Sequence, residues 1–108
     1  MHKRRYVRVK VQAPFVIRGI GSSRSILHRG QGHNLSEGGM GGVVSGEWLP
    51  GQIVAMELIL PVSGESLQLN ARVRHRASPS CGFEFLGPES AVAEKIREVC
   101  LSAAAGTL

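Results

Sequence analysis

Strict apolar alternation limits what this chain can fold into more than any other feature. Val7, Val9 and Val11 interleave with Arg8 and Lys10, and Leu67, Leu69, Ala71 and Val73 interleave with Gln68, Asn70, Arg72, Arg74 and Arg76. Successive strand residues point to opposite faces, so each stretch reads as a strand with one side in a core and the other in water. Residues 15–20 read as a second extended segment, offset from the first by Ala13-Pro14. Residues 19–32 read as a hairpin leading to a short strand around Ile26-Leu27-His28. Pro50-Gly51 is a turn signal before the apolar run 52–60, and Ser63-Gly64 closes the next hairpin. Residues 82–86 form a further strand with Phe83 and Phe85 on one face.

The period changes after Gly87. Val92, Ile96, Val99 and Cys100 make one helical stripe, which predicts a packing helix over 88–105 with Pro88 at its first position and Gly106 past its end. Six or seven short strands and one C-terminal helix describe an all-β fold with one helix, a small antiparallel β-barrel. One domain covers residues 1–108, with 1–10 a basic, flexible lead-in running into the first strand. No apolar run approaches the ~20 residues that cross a bilayer. The basic start lacks a following signal-like apolar stretch, so the expected location is the cytoplasm.

Thirteen Lys and Arg face eight acids, all Glu, for a net charge of +5. Ten of the thirteen are Arg, and five of the thirteen fall within residues 3–10. The guanidinium fork suits phosphate and the O6/N7 edge of guanine, so an anionic partner is expected. Cys81 and Cys100 are too few for a disulfide framework and match no metal spacing; Cys100 reads as a buried thiol on the helix stripe. Neither a metal nor a cofactor is expected. With no Asp, no Ser/His/acid arrangement and no phosphate loop opening a helix, the chain does not read as an enzyme.

Two polar signatures stand apart from this framework. Arg4 and Arg8 form R-x-x-x-R, with Lys3 just ahead and Arg5 between them. That pattern is weak, since about one match is expected by chance, and Arg72–Arg76 repeats it. Asn34, Ser36 and Gly39 form N-x-S-x-x-G, for which only ~0.03 matches are expected. It places an amide, a hydroxyl and glycines in a turn between strands, which Asn34 and Ser36 can also make without any ligand. Arg72, Arg74 and Arg76 read as an outward basic stripe, solvated or flanking a ligand, and Trp48 as a core or rim aromatic.

Taken with a G-x-x-F element at Gly82 and Phe85, this combination resembles the PilZ domain, the bacterial receptor module for cyclic di-GMP. The resemblance covers nearly the whole chain and implies a six-stranded antiparallel barrel with a flanking helix. It implies that Arg4 and Arg8 clamp the ligand and that Asn34 and Ser36 meet guanine. Gly39 leaves room for the base or takes a backbone angle closed to other residues. A basic residue at Lys3 goes, in the family, with capture of an intercalated pair of cyclic di-GMP molecules; Arg5 adds a phosphate contact or faces water.

The expected function is a non-catalytic sensor or adaptor whose basic N-terminal segment folds onto the barrel with ligand and relays this to a protein partner or neighbouring domain. Two other readings compete. A small basic barrel can bind single-stranded nucleic acid, although aromatics are only 5% of the chain, few for a stacking platform. A PilZ-like module can also mediate protein contacts without ligand.

Overall fold

The inward residues of the alternating stretches meet in one core. The computed structural model describes residues 6–21 and 26–107. Strands β1 (Val9–Gly19), β2 (His28–Ser36), β3 (Gly39–Val44), β4 (Ile53–Ile59), β5 (Ser66–Ala77) and β6 (Ser80–Phe85) precede a helix, α1 (Ser90–Ala104). All pairings are antiparallel, and the order β1-β2-β3-β6-β5-β4 closes on itself as a barrel. Phe15, Ile17, Leu35, Val54, Met56, Leu58, Val73 and Cys81 are fully buried within it. The rings of Phe15 and Phe83 meet edge to face at 5.4 Å, a contact that adds about 0.5–1.5 kcal/mol to the area they bury. No helix among the described residues is long and apolar enough to cross a membrane.

Several boundaries differ from the sequence reading. Residues 9–19 are one strand, because Val9, Val11, Ala13, Phe15 and Ile17 keep the same parity across Ala13-Pro14 and are all buried. Pro14 lies one residue before pairing with β4 begins at Phe15, a place where a missing N–H is tolerated. Val7 is exposed and precedes the strand. Ile26 and Leu27 are exposed as well, and the strand begins only at His28. Its sequence, HRGQGHNLS, contributes only Leu35 to the apolar core, so pairing with β1 and β3 defines it rather than alternation.

The helix starts at Ser90 with Glu89 as N-cap, and Pro88 lies outside it. Gly106 ends it as expected, at φ 74°: its N–H reaches the carbonyl of Ala103, and that of Thr107 reaches Ser102. Ile96 and Cys100 are buried against the barrel, and the Cys100 thiol points at the carbonyl of Leu35, 3.7 Å away. Arg97 meets Glu37 at 3.7 Å, and Lys95 pairs with Glu65. The helix therefore closes the barrel end that carries the β2–β3 turn.

Candidate functional site

Two β-bulges shape the outer face of the sheet. On β2, Gly32 pairs with Gly42 but Asn34 with Gly41, which leaves His33 as an extra residue. On β5, Val73 pairs with Phe83 but His75 with Gly82, which leaves Arg74 as the extra one. A bulge re-aims the side chains around it. Between the bulges lies a groove of about 530 Å³, lined on its outer strands by Asn34, Ser36, Arg74 and His75 and floored by Gly39, Gly41 and Gly82. Arg8 and Tyr6 stand at its edge.

Asn34 and Ser36 belong to the end of β2 rather than to a loop, and the turn itself is only Glu37-Gly38. Neither of these two residues takes a positive φ. The connection is therefore not the primed type that matches strand twist in two-residue hairpins. The Ser36 hydroxyl braces it: Oγ accepts the N–H groups of Gly38 and Gly39, both at 3.2 Å, and lies 3.3 Å from the Gly39 carbonyl, to which it can donate. Of the two ligand-free turn partners foreseen, Ser36 makes the turn and Asn34 does not.

Asn34 is instead bonded across strands. Arg8 donates from Nη2 to its Oδ1 at 2.7 Å, linking residues 26 apart in the chain. Arg8 is exposed, so the guanidinium keeps most of its donors free on the groove side. The Asn34 amide lies over Gly41, where a Cβ would come within about 3.0 Å of it. Gly39 has no positive φ; it is glycine because a Cβ there would sit 2.1 Å from the Phe83 carbonyl oxygen. The neighbouring strand β6, not an unusual backbone angle, demands it.

Lys3, Arg4 and Arg5 lie outside the described residues, so the first half of the arginine motif has no place in this geometry. The second half, Arg8, does meet Asn34, Ser36 and Gly39 on one groove. The stripe expected at Arg72, Arg74 and Arg76 does not form. Arg72 and Arg74 face out and share the Glu84 carboxylate, at 3.4 and 3.8 Å. The bulge turns Arg76 to the other face, where it donates to the carbonyls of Gly46 at 2.7 Å and Pro79 at 3.0 Å. It also touches Cys81, whose thiol burial pushes up while Arg76 pulls it part of the way back. Trp48 is buried, its indole N–H bonded to the Ser45 carbonyl at 2.8 Å, and His28 stands edge-on to its ring.

The PilZ domain family model matches residues 2–102. The chain belongs to the PilZ family. No curated protein sequence matches it. Among solved structures, the PilZ fold recurs in the Bacillus subtilis inhibitor of motility MotI/DgrA at TM-score 0.82 and 18% identity, over 98% of this chain and 53% of that one. The PilZ domain of Escherichia coli YcgR, solved with c-di-GMP, superposes at TM-score 0.76 and 17% identity, covering 97% and 94%. That of CeSA from a cellulose-synthesizing bacterium follows at 0.63 and 19%, covering 92% and 95%. This PilZ chain thus spans about half the length of MotI/DgrA. Identities this low carry the fold alone.

Tyr6, His33 and His75 line the groove of this PilZ domain but are not singled out by its sequence motifs, whereas Arg74, expected to face outward, lines it as well. Tyr6 sits between the two motif arginines and lays its ring within 2.9 Å of where a Gly38 Cβ would be. His33 and His75 depend on bulges, for which neither β2 nor β5 carries a local signal.

Proposed function

We propose that this domain is a receptor for cyclic di-GMP, binding it in the groove between the two bulges. The observation that carries the reading is the 2.7 Å bond from Arg8 to Asn34. It joins the second arginine of R-x-x-x-R to the first residue of N-x-S-x-x-G at the edge of a groove with a glycine floor. A guanidinium offers paired donors to phosphate oxygens or to guanine O6 and N7, and the amide of Asn34 offers an acceptor to the N1–H and N2–H₂ edge. Arg4, with Lys3 and Arg5, completes the clamp from the basic lead-in. Ser36 serves chiefly by holding the turn.

The function is sensing rather than catalysis, and the site of action is the cytoplasm. Ligand engages Lys3, Arg4 and Arg5 beside the β2–β3 turn, where Tyr6 and Arg8 already stand. Because Glu37 in that turn meets Arg97 of α1, the change reaches the helix and, through it, a protein partner or neighbouring domain.

Calorimetric titration of cyclic di-GMP, GTP and a short single-stranded oligonucleotide tests the reading. Cyclic di-GMP alone is expected to bind, with a stoichiometry near two if Lys3 supports the intercalated pair. Arg8→Ala is expected to weaken binding more than tenfold, whereas Arg18→Ala, an equal loss of charge away from the groove, leaves it within twofold. Equal losses at both positions, or no binding at tens of micromolar, would refute the assignment.

A further inference from the structure

One cross-sheet row organises the groove. Asn34 pairs with Gly41, Gly41 with Gly82, and Gly82 with His75, so four neighbouring strands contribute one residue each. The two outer residues carry planar polar groups and the two central ones carry none. Three inter-strand spacings set the ends about 14 Å apart at Cα. Each end is preceded by a bulge, His33 before Asn34 and Arg74 before His75.

The His75 imidazole lies flat on this floor. A Cβ on Gly82 would sit 2.3 Å from Cε1, 2.7 Å from Nε2 and 2.9 Å from Nδ1. Such similar distances to three ring atoms mean that the ring lies face-on, not end-on, over the glycine. Gly82 is thereby buried while His75 stays exposed and lines the groove. The bulge is what puts it there. Regular alternation from Val73 would turn residue 75 inward, and the extra residue, Arg74, turns it out instead.

We infer that His75 is a stacking platform for a purine base of the bound ligand, facing Asn34 across the glycine floor. The imidazole supplies a flat aromatic face parallel to the sheet. Gly82 beneath the ring and Gly41 beneath the Asn34 amide let both groups lie low, so that a base stacked on His75 extends toward the Asn34 amide. Arg74, loosely held by Glu84 at 3.8 Å, borders the same subsite. The inference rests on the cyclic di-GMP reading and names the second wall of that site, opposite the arginine clamp. Base–aromatic stacking contributes about 1–3 kcal/mol, which is roughly fivefold to hundredfold in affinity.

The test compares cyclic di-GMP binding by wild type, His75→Phe and His75→Leu, with the imidazole C–H resonances of the wild-type protein followed by NMR during titration. Phe keeps the flat ring and loses the nitrogens; Leu keeps bulk and loses the face. The expected result is affinity within threefold for H75F, a loss of fivefold or more for H75L, and an upfield ring-current shift of the His75 signals on saturation. H75L binding like wild type, unmoved imidazole signals, or H75F as weak as H75L would each overturn the platform while leaving the receptor assignment intact. A wild-type domain that binds no cyclic di-GMP would overturn both.

Discussion

Ser36 lets the structural and ligand roles of the motif be separated by a single atom. Replacing it by Ala removes the oxygen that accepts from Gly38 and Gly39 at 3.2 Å. Each such bond is worth about 0.5–1.5 kcal/mol net, and the half-buried turn lets water recover part of that. The expected destabilisation is about 1.5 kcal/mol. An unfolding entropy of about 2.1 cal/mol/K per residue gives roughly 0.23 kcal/mol/K for a domain of this size, so Tm should fall by about 6 °C. The assay is thermal unfolding by circular dichroism without ligand, with Ser36→Thr as the control that keeps the hydroxyl. The Glu37-Gly38 connection is not a primed turn. Besides the hydroxyl, it is held from outside by the Phe85 N–H on the Gly38 carbonyl at 2.9 Å and by the Arg97–Glu37 pair, so the loss is a few degrees and not an unfolded domain. A ligand-free Ser36→Ala melt within a degree of wild type would show that the hydroxyl does not hold the turn, and would return Ser36 to a purely ligand-facing role.

Arg76→Ala should lower stability by about 1.5–3 kcal/mol, the worth of charge-assisted bonds to the Gly46 and Pro79 carbonyls, while cyclic di-GMP affinity stays within twofold; an unchanged melt would refute this. Val62 has φ 71° at the centre of a tight turn closed by Ser63 N–H to Pro61 C=O at 2.8 Å, strained for a β-branched residue. Val62→Gly is therefore expected to raise stability by about 1 kcal/mol in chemical denaturation, and a loss would count against the strain. Burial raises the Cys100 thiol from 9.0 to about 11. Between these values the unfolded chain has released a proton that the folded one keeps, so stability is whole below pH 9 and falls toward pH 11, by about 1.4 kcal/mol per unit. Cys100→Ala should flatten that segment of the Tm–pH curve; parallel curves would show that this thiol does not carry the slope.

The barrel was legible where a strand has one wet face and one dry one. β5 and the first half of β1 alternate so regularly that their inward residues, Leu67, Leu69, Ala71, Val73, Val9 and Val11, could be named from order alone, and all are buried. Phe83 and Phe85 on β6 behave likewise. β2 was misplaced because its residues are chosen for the groove and the pairing, not for the core; only Leu35 reads as apolar, and the conspicuous Ile26-Leu27 is outside the strand. At the groove, N-x-S-x-x-G pointed to Asn34, Ser36 and Gly39, which do line it together. Of the two reasons offered for Gly39, the special backbone angle is absent, and the Phe83 carbonyl already excludes a side chain there. Extrapolating alternation through residue 76 failed for one reason. A bulge is invisible to periodicity, and the one at Arg74 sends Arg76 to the barrel and His75 to the groove.

Strand β3 shows why such a groove needs a closed barrel. Three of its six residues are glycine, a composition that weakens an isolated strand through backbone entropy and lost side-chain packing. Gly39 and Gly42 are required by the sheet itself, since a Cβ at either would strike the backbone of β6 or β2 at 2.1–2.2 Å. Gly41 differs: the obstacle to its Cβ is the amide of Asn34. At Gly82 beside it the nearest obstacle is likewise a side chain, the His75 ring. These two glycines therefore make room for the side chains of Asn34 and His75 rather than for neighbouring backbone. The strand survives because β2 and β6 hold it on both sides and because closure leaves it no free edge. Met40 and Val44 still anchor its inner face in the core. An open sheet would lose such a strand first, whereas here its bare outer face persists as the floor between Asn34 and His75.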